Sequence, residues 1–154
     1  MDKVIDIIRS LEKQITDEGW RIDFTPSVAI ERIREVEAQY AFTFPEDYIE
    51  FITTHGLIDF THIKYGNIIC DMLYPALIAD NVKNIRGELV LFQKLDVEED
   101  PNFYAFQRTG STTGVVSYID QGAVIRPVAS TFTEHIEMLL KSIIDGSYIE
   151  RACL

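Results

Sequence analysis

The spacing of apolar residues changes near residue 56, and this change constrains the fold more than any other feature of the sequence. Beyond that point the apolar residues form short runs separated by glycine, proline and polar turn residues. The runs cover 67–70, 89–92, 103–106, 115–119 and 123–128. Most of the connections are too short to hold a crossover helix, so neighbouring runs must pair antiparallel. The pattern predicts an antiparallel meander sheet of about five strands.

Before residue 56, apolar residues recur at the spacing that lines one face of a helix, and they predict three helices. The first covers 2–16. The second is expected to begin with Thr25 as its cap and Pro26 at its first position, and the third begins around Pro45. Between the first two helices, the alternation of apolar and charged residues over 20–24 predicts a short extended segment.

A last helix is predicted from Thr131 onward, because Thr131 and Glu134 have the spacing of a capping box. Its apolar face is expected to pack on the sheet. The element order predicts an α+β fold with N-terminal helices, a meander sheet and a C-terminal helix. A length of 154 residues suits a single domain covering 1–154. Residues 74–82 are compatible with either a helix or an irregular connection.

Charge limits the classes of partner. The net charge is -11, with 7 basic and 14 acidic residues in 1–77 and 7 basic and 11 acidic residues in 78–154. Binding to nucleic acid or to an anionic membrane needs a basic surface, so both classes are disfavoured. A basic protein partner is permitted. The alternative is that the excess carboxylates serve solubility alone.

The sequence predicts a cytoplasmic protein. The first residues carry carboxylates where a signal peptide needs positive charge, and the longest apolar stretch, 72–79, is far too short to span a bilayer. Cys70 and Cys153 are the two cysteines, they lie far apart, and neither belongs to a C-x-x-C motif. A disulfide framework and a thiolate zinc site are therefore not indicated.

Three segments that could carry chemistry have simpler interpretations. The loop 110–114 resembles a phosphate-binding loop but lacks the lysine and the following helix, so a hairpin turn is predicted. The acidic segment 96–100 does not continue as an EF-hand, because Pro101 and Gln107 occupy the positions that require glycine and glutamate. The set His55, Asp59 and His62 matches no metal-binding spacing. No catalytic, cofactor-binding or metal-binding residue is predicted.

The acidic segment has a further interpretation as a contact loop for a basic partner. Carboxylates can steer such a partner and neighbouring aromatic rings can anchor it. The residues predicted to make this contact are Glu98, Glu99, Asp100, Phe103 and Tyr104.

Residues 33–56 resemble the signature of the SUKH superfamily, which includes fungal regulators of cell-wall and glucan synthesis and many bacterial immunity proteins. The signature has an Ile, a Glu four residues later, a Leu-Pro corner, two aromatic positions and an Asn-Gly turn. Here the matching positions are Ile33, Glu37, Phe44, Pro45, Tyr48, Phe51 and Gly56. Phe44 replaces the leucine, and His55 replaces the asparagine before the glycine.

The resemblance implies a non-enzymatic binding protein. It implies that six of the matching positions serve the fold, while Glu37 is open between a structural hydrogen bond and a functional carboxylate. Bacterial members neutralise a cognate toxin, often a nuclease, by direct binding, and an acidic protein suits the positive cleft of a nuclease.

Two alternatives stay open at this point. A regulatory scaffold of the cell-wall and glucan-synthesis type would bind a cellular partner unrelated to toxins. A small-ligand binder or an enzyme is the third option, because a sheet and neighbouring helices can enclose a pocket. The sequence indicates neither the identity of the partner nor the oligomeric state.

Overall fold

Among the described residues, one antiparallel sheet forms the centre of the fold, and its seven strands lie in chain order. The structure is a computed structural model and describes residues 3–63, 68–72, 89–97, 102–109, 111–120 and 124–145. The strands are β1 (Trp20–Phe24), β2 (Ile58–His62), β3 (Ile68–Met72), β4 (Leu89–Val97), β5 (Asn102–Thr109), β6 (Thr112–Asp120) and β7 (Val124–Ala129). Each strand pairs antiparallel with the next one along the chain.

Four helices complete the described part of the chain. They are α1 (Lys3–Asp17), α2 (Ile30–Tyr40), α3 (Glu46–Thr54) and α4 (Phe132–Ile144). Helix α4 packs against β6 and β7, and also against α1 and α3, so it covers one face of the sheet. The predicted α+β fold, with an antiparallel meander and a C-terminal helix packed on it, is confirmed.

The sheet has more strands than the five predicted runs. The extended segment 20–24 is not isolated but forms β1, at the edge of the same sheet. Strand β2 was not predicted, although its buried residues Ile58, Phe60 and His62 alternate with Asp59 and Thr61 over five residues next to a turn. The undecided segment 74–82 lies outside the described residues.

The predicted start of the second helix is wrong. Helix α2 begins at Ile30, and Thr25 does not cap it. Instead, the Thr25 Oγ1 accepts a hydrogen bond from the Leu57 N–H at 2.8 Å, and the Thr25 N–H donates to the Leu57 carbonyl at 2.9 Å. The Thr25 hydroxyl, which was predicted to cap a helix, is therefore bonded to a residue far away in the sequence. Thr25 extends the pairing of β1 with β2.

Gly56 allows Thr25 to lie this close to the end of α3. It follows α3 with a φ of +87°, and a Cβ at this position would lie 2.1 Å from the Thr25 carbonyl oxygen. Only glycine combines a left-handed backbone with so close an approach of a second chain segment.

Aromatic side chains fill the space between the sheet and the helices. Phe92 and Phe106 stack with ring centroids 4.0 Å apart, and Tyr48 and Phe132 contact both rings at 5.1 to 6.4 Å. All four side chains are fully buried. A bulge in β4 between Leu91 and Gln93 accompanies this packing. Burial of these aromatic rings stabilises the contact between the sheet and the helices.

Candidate functional site

The turn between α2 and α3 is built around one buried carboxylate. The Glu37 side chain is 6% exposed, and its Oε2 accepts a hydrogen bond from the Phe44 N–H at 2.8 Å. Its Oε1 accepts from the Arg34 guanidinium at 2.6 Å. The hydrogen bond to Phe44 fixes the turn, and the Arg34 contact lies within α2, so both oxygens of Glu37 have structural partners.

The other matching positions lie around this turn. Ile33, Tyr48 and Phe51 are fully buried and Phe44 is 3% exposed, while Pro45 precedes α3. Within the turn, the Thr43 N–H donates to the Ser111 carbonyl at 2.7 Å. Ser111 lies in the β5–β6 hairpin, where Thr109 pairs with Thr112. A hairpin is present as predicted, although β6 begins at Thr112, inside the segment 110–114 that was predicted as the turn. The hairpin supports the α2–α3 turn.

An acidic groove lies beside this turn, where α3 and α4 both begin. It has a volume of about 480 Å³ and is lined by Pro45, Glu46, Asp47, Glu50, Gly114, Ser130 and Thr131. Glu46 and Glu50 are exposed and one helical turn apart. Among the described residues, no cationic side chain forms an ion pair with either carboxylate. We call this surface the α3 acidic groove.

Asp47 joins the two helices at the floor of the groove. Its Oδ2 accepts hydrogen bonds from the Thr133 N–H at 2.9 Å and from the Thr133 hydroxyl at 2.8 Å. Its Oδ1 accepts from the Tyr48 N–H at 3.0 Å. A carboxylate at a helix N-terminus is stabilised by the unpaired N–H groups there, so Asp47 serves the fold and leaves the two glutamates to face solvent.

Glu134 adds a further carboxylate near the groove. The Thr131 hydroxyl accepts the Glu134 N–H at 3.1 Å, as the predicted capping box requires. The carboxylate, however, accepts from the side chain and the N–H of Ser130, and not from Thr131. These hydrogen bonds lower the pKa of the Glu134 carboxyl.

The predicted contact residues do not form one described surface. Glu98, Glu99 and Asp100 lie outside the described residues. Phe103 is half-buried and packs with Leu89 and the other residues on the sheet face away from the helices. Tyr104 is 7% exposed and belongs to the helix-facing core. The two rings therefore point to opposite faces of β5, and the role of all five residues in binding stays a prediction.

A second, smaller cavity lies between α4 and strands β5 and β7. Its volume is about 280 Å³, and it is lined by Tyr104, Arg126, Pro127, Val128, His135, Met138, Leu139 and Ser142. The His135 Nε2 lies 2.7 Å from the Gln93 Oε1, and its ring is 4.4 Å from the Tyr104 ring. Burial lowers the pKa of His135 to about 3, so the imidazole is neutral at physiological pH.

Two polar side chains of this cavity are hydrogen-bonded to neighbours in the core. The His135 Nε2 meets the Gln93 Oε1, and the Ser142 hydroxyl donates to the Leu139 carbonyl at 2.7 Å. The described residues also contain no group of three or more potential metal ligands. Within the same ranges, no helix has the length and apolar character needed to cross a bilayer.

Sequence reasoning did not identify the α3 acidic groove, although one signal for it was present. Residues 46–54 carry three carboxylates and no basic residue, and Glu46 and Glu50 have the spacing that places them on one helix face. The convergence of Ser130 and Gly114 on this helix depends on tertiary packing, which the local pattern does not indicate.

One known protein family matches the part of the chain that contains the α2–α3 turn. The family model described as SMI1 / KNR4 family (SUKH-1) matches residues 27–138. The matched range includes α2, α3, all of the described strands from β2 to β7 and the first half of α4. No curated protein gives a significant match.

Proposed function

Because the chain belongs to the SMI1/KNR4 family (SUKH-1), we propose that it is a non-enzymatic protein-binding domain that acts as an immunity protein in the cytoplasm. In this proposal it neutralises a cognate toxin, most simply a nuclease, by binding it directly and blocking the surface that contacts the phosphates. The family match over residues 27–138 is the observation that carries the proposal.

The distribution of charge supports a basic partner. The sequence spreads its acidic residues along the chain, but helix α3 presents Glu46, Asp47 and Glu50 in one groove, with Glu134 near it. A toxin with a positive cleft would be attracted to such a surface. This attraction would raise the rate at which the two proteins associate. We therefore propose the α3 acidic groove as part of the contact surface, beside the predicted loop of Glu98, Glu99 and Asp100.

The first experiment asks whether the protein binds and protects. The candidate toxin is the product of a neighbouring reading frame that carries a variable C-terminal domain. Co-expression should restore growth to cells that make the toxin, and the purified proteins should form a complex. Absence of both protection and binding would refute the immunity role, and a pull-down that returns one host assembly would favour the regulatory scaffold.

The second experiment tests the groove with a matched pair of variants. Glu46→Gln with Glu50→Gln removes two charges from the groove, and Glu31→Gln with Glu35→Gln removes two charges at the same spacing from α2. Stopped-flow association at low salt should slow severalfold for the groove variant and change little for the α2 variant. Equal rates for the two variants would remove the groove from the interface without affecting the family assignment.

A third variant addresses the predicted loop. Replacing Glu98, Glu99 and Asp100 by alanine should weaken the complex without lowering the melting temperature, because charges in an acidic turn contribute little to stability. Unchanged affinity in this variant would exclude the loop.

The association rate of the unmodified pair should also fall as salt is raised, since screening weakens attraction between separated charges.

A further inference from the structure

Strand β1 forms one edge of the described sheet, and the direction of its backbone groups can be worked out from two hydrogen bonds. The Thr25 N–H donates to the Leu57 carbonyl at 2.9 Å, and the Ile63 N–H donates to the Gly19 carbonyl at 2.6 Å. Backbone groups along a strand point alternately to its two sides. Those of the odd-numbered residues therefore face β2, and those of Ile22 and Phe24 face outward. Among the described residues, no strand pairs with this outer side.

The two faces of β1 differ in chemistry. On the helix side, Ile22 is half-buried and Phe24 is 42% exposed, next to a groove of about 530 Å³ that is partly lined by Ile5 and Ile8 of α1. On the other side, Arg21 and Asp23 are exposed, with the Arg21 Nε 2.7 Å from the Asp23 Oδ2. The edge thus presents an apolar row on one face and one positive and one negative charge on the other.

We propose that two copies of the chain pair antiparallel through β1, with the two-fold axis at Ile22, and form a homodimer with a continuous sheet. In this register the two Ile22 residues exchange a pair of backbone hydrogen bonds, as their outward-facing groups require. Arg21 then lies opposite Asp23 of the second copy, and Asp23 lies opposite Arg21 of the second copy. Phe24 lies opposite residue 20 and loses part of its exposure.

The charges select this register. A slip of two residues in one direction places Arg21 opposite Arg21 of the second copy, and a slip in the other direction places Asp23 opposite Asp23. Like charges directly opposite one another are destabilising, whereas opposite charges stabilise a cross-strand pair. The strand is therefore complementary to itself in one two-fold register, which is the requirement for an isologous interface.

The other described edge is less suited to this role. Strand β7 contains Pro127, which has no N–H to donate to a neighbouring strand. Charged residues and prolines commonly protect sheet edges, but charges of both signs on one edge can pair with those of a second copy. In β1 the alternation of one positive and one negative residue removes that protection.

The test uses charge reversal at exposed positions. Arg21→Glu gives a strand with two negative charges, and Asp23→Arg gives a strand with two positive charges, so each variant should be monomeric by itself. Sedimentation velocity over protein concentrations from about 10 μM to about 1 mM should show a dimer for the wild type and a Kd raised about 10- to 100-fold in each variant. Circular dichroism establishes that each variant is folded.

Mixing the variants gives the decisive result. The Arg21→Glu and Asp23→Arg proteins should form a heterodimer with each other, because each negative residue then faces a positive one. The double variant, Arg21→Glu with Asp23→Arg, should dimerise by itself. Its dimerisation would show that the single variants lose the dimer because of their charges and not because they misfold. The matched control, Arg32→Glu with Glu35→Arg, reverses an exposed ion pair of 3.5 Å on α2 and should leave the dimer unchanged.

Two outcomes would overturn the proposal. A wild-type protein that stays monomeric over the whole concentration range has no β1 interface. A dimer that is insensitive to Arg21→Glu, or variants that do not associate when mixed, would place the contact elsewhere on the molecule. Neither outcome bears on toxin binding, which is measured separately.

Discussion

His135 should make the stability of the protein fall steeply in mildly acidic solution. Its imidazole is buried against Gln93 and Tyr104, and burial lowers its pKa from 6.5 to about 3. In the unfolded chain the histidine regains its ordinary pKa. Below pH 6.5 the unfolded state therefore binds a proton that the folded state does not bind, and the free energy of unfolding decreases as the pH falls toward the folded-state value.

The size of the effect follows from the displacement of the pKa. One pH unit inside this window corresponds to about 1.4 kcal/mol per proton. Lowering the pH from about 7 to about 5 should cost about 2 kcal/mol through this residue alone, since the folded state stays unprotonated over that range. Other groups titrate as well, so the contribution of His135 must be obtained as a difference between two proteins.

The suitable reference is His135→Gln. Glutamine has no titratable group and can still donate a hydrogen bond to the Gln93 Oε1. Urea unfolding at a series of pH values should show that the wild type loses about 2 kcal/mol more than the variant between about pH 7 and about pH 5. Identical pH dependence in the two proteins would refute the argument, because it would mean that the folded state binds the proton as readily as the unfolded one.

The remaining predictions concern the turns that enclose the core. Gly56→Ala should lower the free energy of unfolding by more than about 2 kcal/mol, because of its positive φ and the clash with the Thr25 carbonyl; Gly114→Ala, where the added Cβ meets nothing within 4 Å, is the control, and equal losses in denaturant titration would contradict the reasoning. Glu37→Leu should cost about 1–3 kcal/mol more than Glu37→Gln in the same assay, because only glutamine can accept the Phe44 N–H; equal stability of the two variants would show that this hydrogen bond is dispensable. Tyr48→Phe should change stability by less than about 1 kcal/mol, since the buried hydroxyl has no partner among the described residues; a larger loss would show that the hydroxyl is bonded in solution.

Local signals in the sequence were sufficient for much of the fold. Helix α4 and the β5–β6 hairpin have a capping box and a glycine-containing turn within a few residues, so neighbours in sequence determine them. The signal at Thr25 was misleading, and the short alternation in β2 was not enough by itself to assign a strand. Both segments are fixed by pairing between β1 and β2, more than thirty residues apart, and local patterns do not report such a partner.

The candidate contact surface was harder to predict than the fold. The acidic residues of α3 could be read from the sequence. Their position beside Ser130 and Gly114 results from the packing of α4 and the β5–β6 hairpin against α3. For Tyr104, the neighbouring residues in the sequence did not indicate burial. It was predicted as a contact residue because it follows an acidic segment, yet strand alternation directs it into the core and directs Phe103 to the other face.

From the chain-order arrangement of the strands, we expect an order of events in folding. Strands β5 and β6 are joined by two residues, whereas α1 meets α4 across the 114 residues between Asp17 and Phe132. Short closures cost little entropy and long ones cost more, so hairpins form early and the meeting of the two helices comes late. We expect the contact between α1 and α4 to open before the pairing in the middle of the sheet, so amide hydrogens of α1 should exchange with solvent sooner than those of the central strands.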